Sequence, residues 1–506
     1  MSNQVVISDA APGWLEVIAV ARHGSELTLD EGRWARIERA RQVVEQMADA
    51  STPYYGINTG LGALCDVVLD RQQLSDLSRN TLMSHACGVG APLRVEQVRA
   101  IMCCAVINWS HGHSGISPGI VQGLLAFLNM GITPVVPGRG SVGYLTHMAH
   151  IGLALLGVGE VDHAGERRPA SDVFAQHALT PVVLGPKDGL SLVNGTAAMT
   201  GLACIALDDA HVLADWADAI GAASFEALSG QQAAFAPEVL ALKGQPGVVR
   251  SGANLRRLLA DSQHLQQCQG HHLQDALSLR AMPQVHGSCR EQLEHAIRLV
   301  DGEISAATDN PLVIGDGPHA RIVSQANPHG APVALACDSL AMAVCEWASI
   351  SERRSYRLVT PQASELPAFL TRDSGVKSGL MIAQYTAASL AAEVKRLALP
   401  ASVDNYLTSG LQEDHLSFGD SAALKLDQAL EGALRVLSIE LLLAVQALDL
   451  IPNTGFGLGA ELTRHLVRDR VDHYDESRPL HQDMEQALSL LKSATAIAEV
   501  RRLLNA

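Results

Sequence analysis

A chain of 506 residues with 47% hydrophobic side chains can bury a large core, and its formal net charge of −16 argues against phosphate backbones and anionic lipid surfaces as partners. Nine scattered cysteines without paired metal-type spacing fit a reducing compartment. The N-terminus "MSNQVVISDAAPGW" has no basic region followed by an apolar run, so a cytoplasmic protein without a signal peptide is expected.

Along the chain, glycine-rich turns interrupt helical patterns at 54–62 ("YYGINTGLG"), 85–92 ("HACGVGAP"), 111–119 ("HGHSGISPG"), 137–143 ("PGRGSVG") and 327–332 ("NPHGAP"). Glycine permits unusual backbone angles and close approach of another group. Small hairpins are expected near 157–170 and 312–324. Leu293, Ile297, Val300 and Ile304 recur at helical spacing, as do Leu426, Leu430, Leu434, Leu437, Leu441 and Leu448. The stretches "IGLALLGVG" and "LSIELLLAVQAL" fall short of the roughly 20 apolar residues that span a bilayer and read as buried helices. Aromatic residues make up only 4%, so small side chains let helices pack closely in bundles. The expected fold is all-α, an elongated helical bundle with small peripheral hairpins. Without a linker or repeat, the chain reads as a single body: about 1–190 an N-terminal loop-rich region, about 191–450 a central bundle, about 451–506 C-terminal helices.

"YGINTGLG", "SLVNGT", "SLRAMPQ", "TDNPL", "SERR", "SGLMIAQYTAASLAAE" and "QEDHLS" follow one another in this order. Together they resemble the aromatic amino acid ammonia-lyases and related aminomutases, over about residues 10–490. The resemblance implies the helical fold shared with aspartases, a homotetramer, and active sites built from several subunits. It also implies an electrophile, a methylidene-imidazolone ring formed from an internal Ala-Ser-Gly. Here "GSVG" (140–143) runs directly into Tyr144 and "LTHMAH" (145–150), and Ala-Ser-Gly occurs nowhere in the chain. The sequence therefore leads to the expectation that no such ring forms and no cofactor is carried. Further departures from the family pattern are His111, His147, Ala197, Leu277 and Pro328.

By resemblance, Tyr55 matches the family's catalytic base, Arg280 the arginine that grips the substrate carboxylate, and Asn194, Gln274 and Asn310 positions that hydrogen-bond substrate or electrophile. Asn310 precedes Pro311 and also reads as the cap of a turn. A guanidinium pairs with carboxylate in two parallel hydrogen bonds, which suits Arg280 to its part. His85 after Ser84, and Glu413 after Gln412, go with the histidine-specific branch; a carboxylate accepts a hydrogen bond from an imidazole N–H. Tyr144 is expected to enter the site as a polar residue facing Tyr55, with His147 one turn along as a proton partner; a cavity plug is the bland alternative. His111, His113, His147 and His150 invite a metal reading, but no carboxylate partner is visible and no metal is expected.

The expected function is Tyr-assisted proton transfer, by elimination, addition or isomerisation, on a small amino acid or derived acid with an imidazole-like or aromatic ring. The alternative is a catalytically inactive binding or scaffold homologue.

Overall fold

The computed structural model describes residues 4–60, 68–403, 405–452 and 454–505. The fold is all-α, and its strands are two to four residues long. Both expected hairpins form: Glu160–His163 pairs antiparallel with Glu166–Pro169, and Leu312–Ile314 with Arg321–Val323. Three strand pairings were not anticipated: the parallel pair Gln4–Ile7 and Glu26–Leu29, the antiparallel pair Val89–Pro92 and Pro137–Arg139, and Thr133–Pro134 added beside Glu160–His163.

The chain divides into two compact units, each assembled from distant stretches of sequence: residues 1–206, 296–338 and 400–424 in the first, and 207–295, 339–399 and 425–506 in the second. These units interleave along the sequence, unlike the three successive regions read from it.

In the first unit the helix Val95–Ser110 is buried almost all round from Gln97 onward. That is the signature of a core helix, apolar on every face. Gly201 packs so closely against it that an added Cβ would lie 2.5 Å from the Ile101 nitrogen. The helix Glu31–Ala48 starts where the Asp30 side chain accepts from the Arg33 N–H, and it buries Arg41 against Asp188 at 3.0 Å. The helix Pro118–Met130 ends on Gly131 at φ +68°, the left-handed cap glycine favours.

The second unit is built around Trp216, Phe225, Phe235 and Trp347, with Leu437, Leu441 and Leu448 of the helix Gly419–Leu450 fully buried. Its core also holds charge. Asp218 accepts from His286 at 2.8 Å, Arg290 at 2.7 Å and Asn254 at 2.8 Å, while the Arg354 guanidinium pairs with Glu440 at 2.5 Å. Burial alone would raise the Asp218 carboxyl; the Arg290 and His286 charges outweigh it and hold the group down at about 2.

By length and composition, Asp188–Ala227 and Ala331–Val359 could each cross a membrane, and both lie mostly buried inside the protein.

Candidate functional site

The loop 137–145 sets the geometry of the site. Gly143 has φ +130°, and a Cβ there would meet Ser417 Oγ at 2.2 Å, so only glycine fits. Leu145 adopts φ +75°, ψ −65°, and the Thr146 N–H closes a three-residue turn onto the Tyr144 carbonyl at 3.0 Å. This γ-turn is rare for a branched residue and stores strain. Three contacts hold it: Phe418 N–H to the Val142 carbonyl at 2.9 Å, Leu145 N–H to the Val193 carbonyl at 3.0 Å, and the Ser141 hydroxyl to Asp420.

At the end of this loop Tyr144 is half-buried, and its hydroxyl donates to Glu413 Oε2 at 2.8 Å. Burial, then the hydrogen bond and charge of Glu413, then the charge of Tyr55 push the Tyr144 phenol well above its ordinary range. Tyr144 therefore keeps its proton at neutral pH and serves as a hydrogen-bond donor. The same interaction puts Tyr55 within electrostatic reach, so Tyr55, Tyr144 and Glu413 gather in one place. Glu413 Oε1 has no hydrogen-bond partner among the described residues. Gln412 is exposed beside it. Of the glycines flanking Tyr55, Gly56 has φ +68° and Gly62 lies outside the described residues.

His147 sits elsewhere than expected. Its Nδ1 meets Asp420 Oδ2 at 3.1 Å, with both side chains 1% exposed, so its partner is a carboxylate and not Tyr144. Burial disfavours the charged ring. The charge and hydrogen bond of Asp420, with the Gly138 backbone nearby, outweigh that and raise the imidazole above its usual value. His150 Nε2 accepts from the Gly88 N–H at 3.1 Å. Burial and the His147 charge lower it.

His111 accepts from the Arg33 guanidinium at 2.9 Å, and burial with that cation drives it down to about 4. His113 bonds the Val313 carbonyl at 2.9 Å. Among the described residues no group of three ligand-type side chains could hold a metal ion.

Asn194 and Asn310 come together: Asn194 Nδ2 donates to the Asn310 carbonyl at 2.8 Å. Asn310 Oδ1 is spent on the Gln325 N–H at 2.9 Å, which favours the turn reading of that side chain. Beside them Asp309 accepts from Lys187 at 2.6 Å, Ser114 at 2.5 Å and Ser191 at 2.8 Å, next to a narrow cavity lined by Asn108, Ser114, Asn194 and Asp309. Sequence reasoning missed Lys187, Asp309 and Asp420; only "TDNPL" and "GSVG" pointed near them. His85 closes the helix Arg71–His85, its Nδ1 3.0 Å from Ser84 Oγ.

Gln274 and Arg280 belong to the second unit. With its amide oxygen turned toward the guanidinium, Gln274 accepts from both terminal nitrogens at 2.7 Å, while Arg280 Nε donates to the Asp275 carbonyl at 2.9 Å. Among the described residues no carboxylate pairs with Arg280.

These positions are embedded in a chain whose relatives are plain. The aromatic amino acid lyase profile matches residues 14–469. A histidine ammonia-lyase of Symbiobacterium thermophilum is 45% identical over 488 residues, 96% of each chain, and one of Myxococcus xanthus is 44% identical over 492 residues, again 96% of each. Among solved structures, histidine ammonia-lyase from Trypanosoma cruzi superposes with a TM-score of 0.91 at 34% identity, covering 99% of this chain and 95% of its own. The ergothioneine-degrading enzyme ergothionase from Treponema denticola, solved with desmethyl-ergothioneine sulfonic acid, gives 0.92 at 29% identity over 99% and 100%.

These comparisons correct one expectation. A cofactor-free site was read from the absence of Ala-Ser-Gly in the chain and from the departures at His111, His147, Ala197, Leu277 and Pro328. Agreement at 43–45% identity with histidine ammonia-lyases, spread over 96% of the chain, outweighs those local departures and aligns the chain with typical members of an electrophile-bearing family. The loop itself presents Ser141, Val142, Gly143 and Tyr144 and not the Ala-Ser-Gly from which the ring is built, so these residues do not fit that group. With the profile covering most of the sequence and the fold matching throughout, the chain belongs to the aromatic amino acid lyase family.

Proposed function

We propose that this protein is a carbon–nitrogen lyase that eliminates the amine from an imidazole-bearing amino acid, histidine in the first instance. The observation that carries this reading is the Tyr144–Glu413 hydrogen bond at 2.8 Å with Tyr55 in reach. Tyr144 occupies Glu413 Oε2 and leaves Oε1 to accept an imidazole N–H, which a phenyl ring cannot offer. Tyr55, acting as the base, takes the proton from the carbon beside the ring; the C–H pair becomes the new double bond, and the carbon–nitrogen bond breaks with its pair leaving on the amine. Tyr144, held protonated, orients Glu413 and is a hydrogen-bond donor at the ring end. Arg280 grips the substrate carboxylate in the assembled homotetramer, which acts in the cytoplasm.

A second reading is favoured by the ergothioneine-degrading neighbour: the amine lost is a quaternary one. Aromatic faces attract a quaternary ammonium, and Tyr55 supplies such a ring at the proton-abstracting end of the site while Tyr144 and Glu413 hold the imidazole. Incubation of the purified protein with L-histidine and with its Nα-trimethyl betaine separates the two. The imidazolyl-acrylate chromophore with ammonia supports the first, and the same chromophore with trimethylamine only from the betaine supports the second. Turnover of tyrosine or phenylalanine in preference to both would overturn the imidazole reading.

A further inference from the structure

Beneath the loop that ends in Tyr144 lies a polar cluster shut off from water. Asp420 stands in the first turn of the helix Gly419–Leu450, where the helix dipole favours a carboxylate. His147 stands in the first turn of the helix Thr146–Leu155, where the same dipole disfavours a cation. They meet at 3.1 Å, both 1% exposed. Among the described residues Asp420 Oδ1 has no hydrogen-bond partner, and the His147 ring has the Gly138 backbone beside it in addition to Asp420. Separating such a pair leaves an uncompensated buried charge, whereas the intact pair is tolerated.

Asp420 Oδ2 also accepts from the Ser141 hydroxyl. Ser141 Oγ in turn accepts from the Gly143 N–H at 3.2 Å and lies 3.2 Å from the Tyr144 carbonyl. One carboxylate oxygen therefore anchors, through Ser141, the strained loop that carries Gly143 and Tyr144. The loop alone would not hold Leu145 at φ +75°.

We propose that Asp420 and His147 form a buried ion pair that, through Ser141, positions Tyr144 against Glu413. Neither is a catalytic residue; both act through the tyrosine. The inference rests on the reading that Tyr144 works in the site. It assigns a task to His147 and adds two residues, Asp420 and Ser141, that no comparison with relatives picked out.

The test uses the full-length protein with 3-fluorotyrosine placed at position 144, in the parent and in Asp420→Asn and Ser141→Ala. Two readings are taken: steady-state turnover of the imidazole substrate, and the ¹⁹F resonance of the labelled ring. A positioning role lowers kcat at least roughly fivefold with KM changed less than twofold, and moves or broadens the ¹⁹F line in both variants. Folded variants with unchanged kcat and an unchanged ¹⁹F line overturn the proposal, as does a change confined to KM. Should Asp420→Asn fail to fold, Ser141→Ala decides by the same two readings, because it removes the link without stranding a charge. Should the parent turn over no imidazole amino acid, the functional reading fails, and the ¹⁹F line still decides whether Asp420 and Ser141 set the tyrosine.

Discussion

Tyr144 and Glu413 stand 269 residues apart in sequence and share a 2.8 Å hydrogen bond. The pair joins two residues that the sequence singles out in separate motifs. Tyr144→Phe preserves the volume and removes the donor. If the hydroxyl works in the site, kcat/KM for the imidazole substrate falls at least roughly tenfold, equivalent to about 1.4 kcal/mol. A plug would leave steady-state kinetics and ligand-induced thermal shifts as in the parent.

Glu413→Gln tests the other half. Glutamine still accepts from Tyr144 through its oxygen but turns an N–H donor toward the imidazole in place of Oε1. The expected outcome is a KM at least roughly tenfold higher for imidazole substrates, with a smaller change in kcat, since a hydrogen bond to a charged group contributes about 1.5–3 kcal/mol. Equal KM values in parent and variant would remove Glu413 from ring recognition.

Gly143→Ala bears on how the loop is held. The backbone at φ +130° and Ser417 Oγ at 2.2 Å from an added Cβ leave no room for a methyl group. Strain of about 1–3 kcal/mol is expected, with loss of activity exceeding loss of thermal stability because the displaced atoms adjoin Tyr144. Activity retained while the melting temperature drops would place the strain elsewhere.

How far the sequence spoke depended on range. The hairpins at Glu160–Pro169 and Leu312–Val323 were legible because local glycine turns and pairing lie within ten or so residues. The parallel pair Gln4–Ile7 and Glu26–Leu29 was not, because four-residue strands carry too little alternation to register. At the site, Tyr55, Tyr144 and Glu413 were each singled out and Tyr144 was expected to face Tyr55, but Glu413 was expected to come from a different subunit than Tyr55, and the single chain brings it to both. Asp420 and Lys187 were invisible. A buried carboxylate in "SFGDSAAL" looks like an ordinary helix start until His147, 273 residues earlier, is found against it. His147 was given the wrong neighbour for the same reason: helical spacing places it one turn from Tyr144 but says nothing of the helix that packs across it.

The proposed homotetramer has a counterpart in surface chemistry. Leu335, Met342, Ile382, Tyr385, Tyr406, Leu407 and Leu411 are exposed on the single chain. Apolar side chains in this number mark surfaces that another chain covers. Multi-angle light scattering at micromolar concentration should return four times the 53.6 kDa chain mass. A stable monomer would also sink the assignment of Arg280 to a shared site.

The last prediction concerns stability and a carboxylate away from the site. Glu226 is buried in the second unit, accepting from the Gly457 N–H at 2.8 Å and from the Ser262 hydroxyl. Burial raises its pKa; the Ser262 and Gly457 hydrogen bonds oppose that, Glu461 adds to it, and the balance lies at about 6, against 4.5 for an ordinary glutamate. The folded protein therefore binds this proton more tightly than the unfolded chain does. The advantage is fully present below pH 4.5 and is lost as pH rises through about 6, where the buried group must ionise. The difference corresponds to about 2 kcal/mol. Glu226→Gln keeps an acceptor for the Gly457 N–H and never ionises. Urea denaturation across pH 4.5–8 should show the parent losing stability relative to the variant through the window around pH 5–6, with the variant ahead by about 1–2 kcal/mol at pH 7.5. Parallel curves for the two proteins across that window would mean that Glu226 ionises in the core without cost, and that the Ser262 and Gly457 hydrogen bonds fully offset its burial.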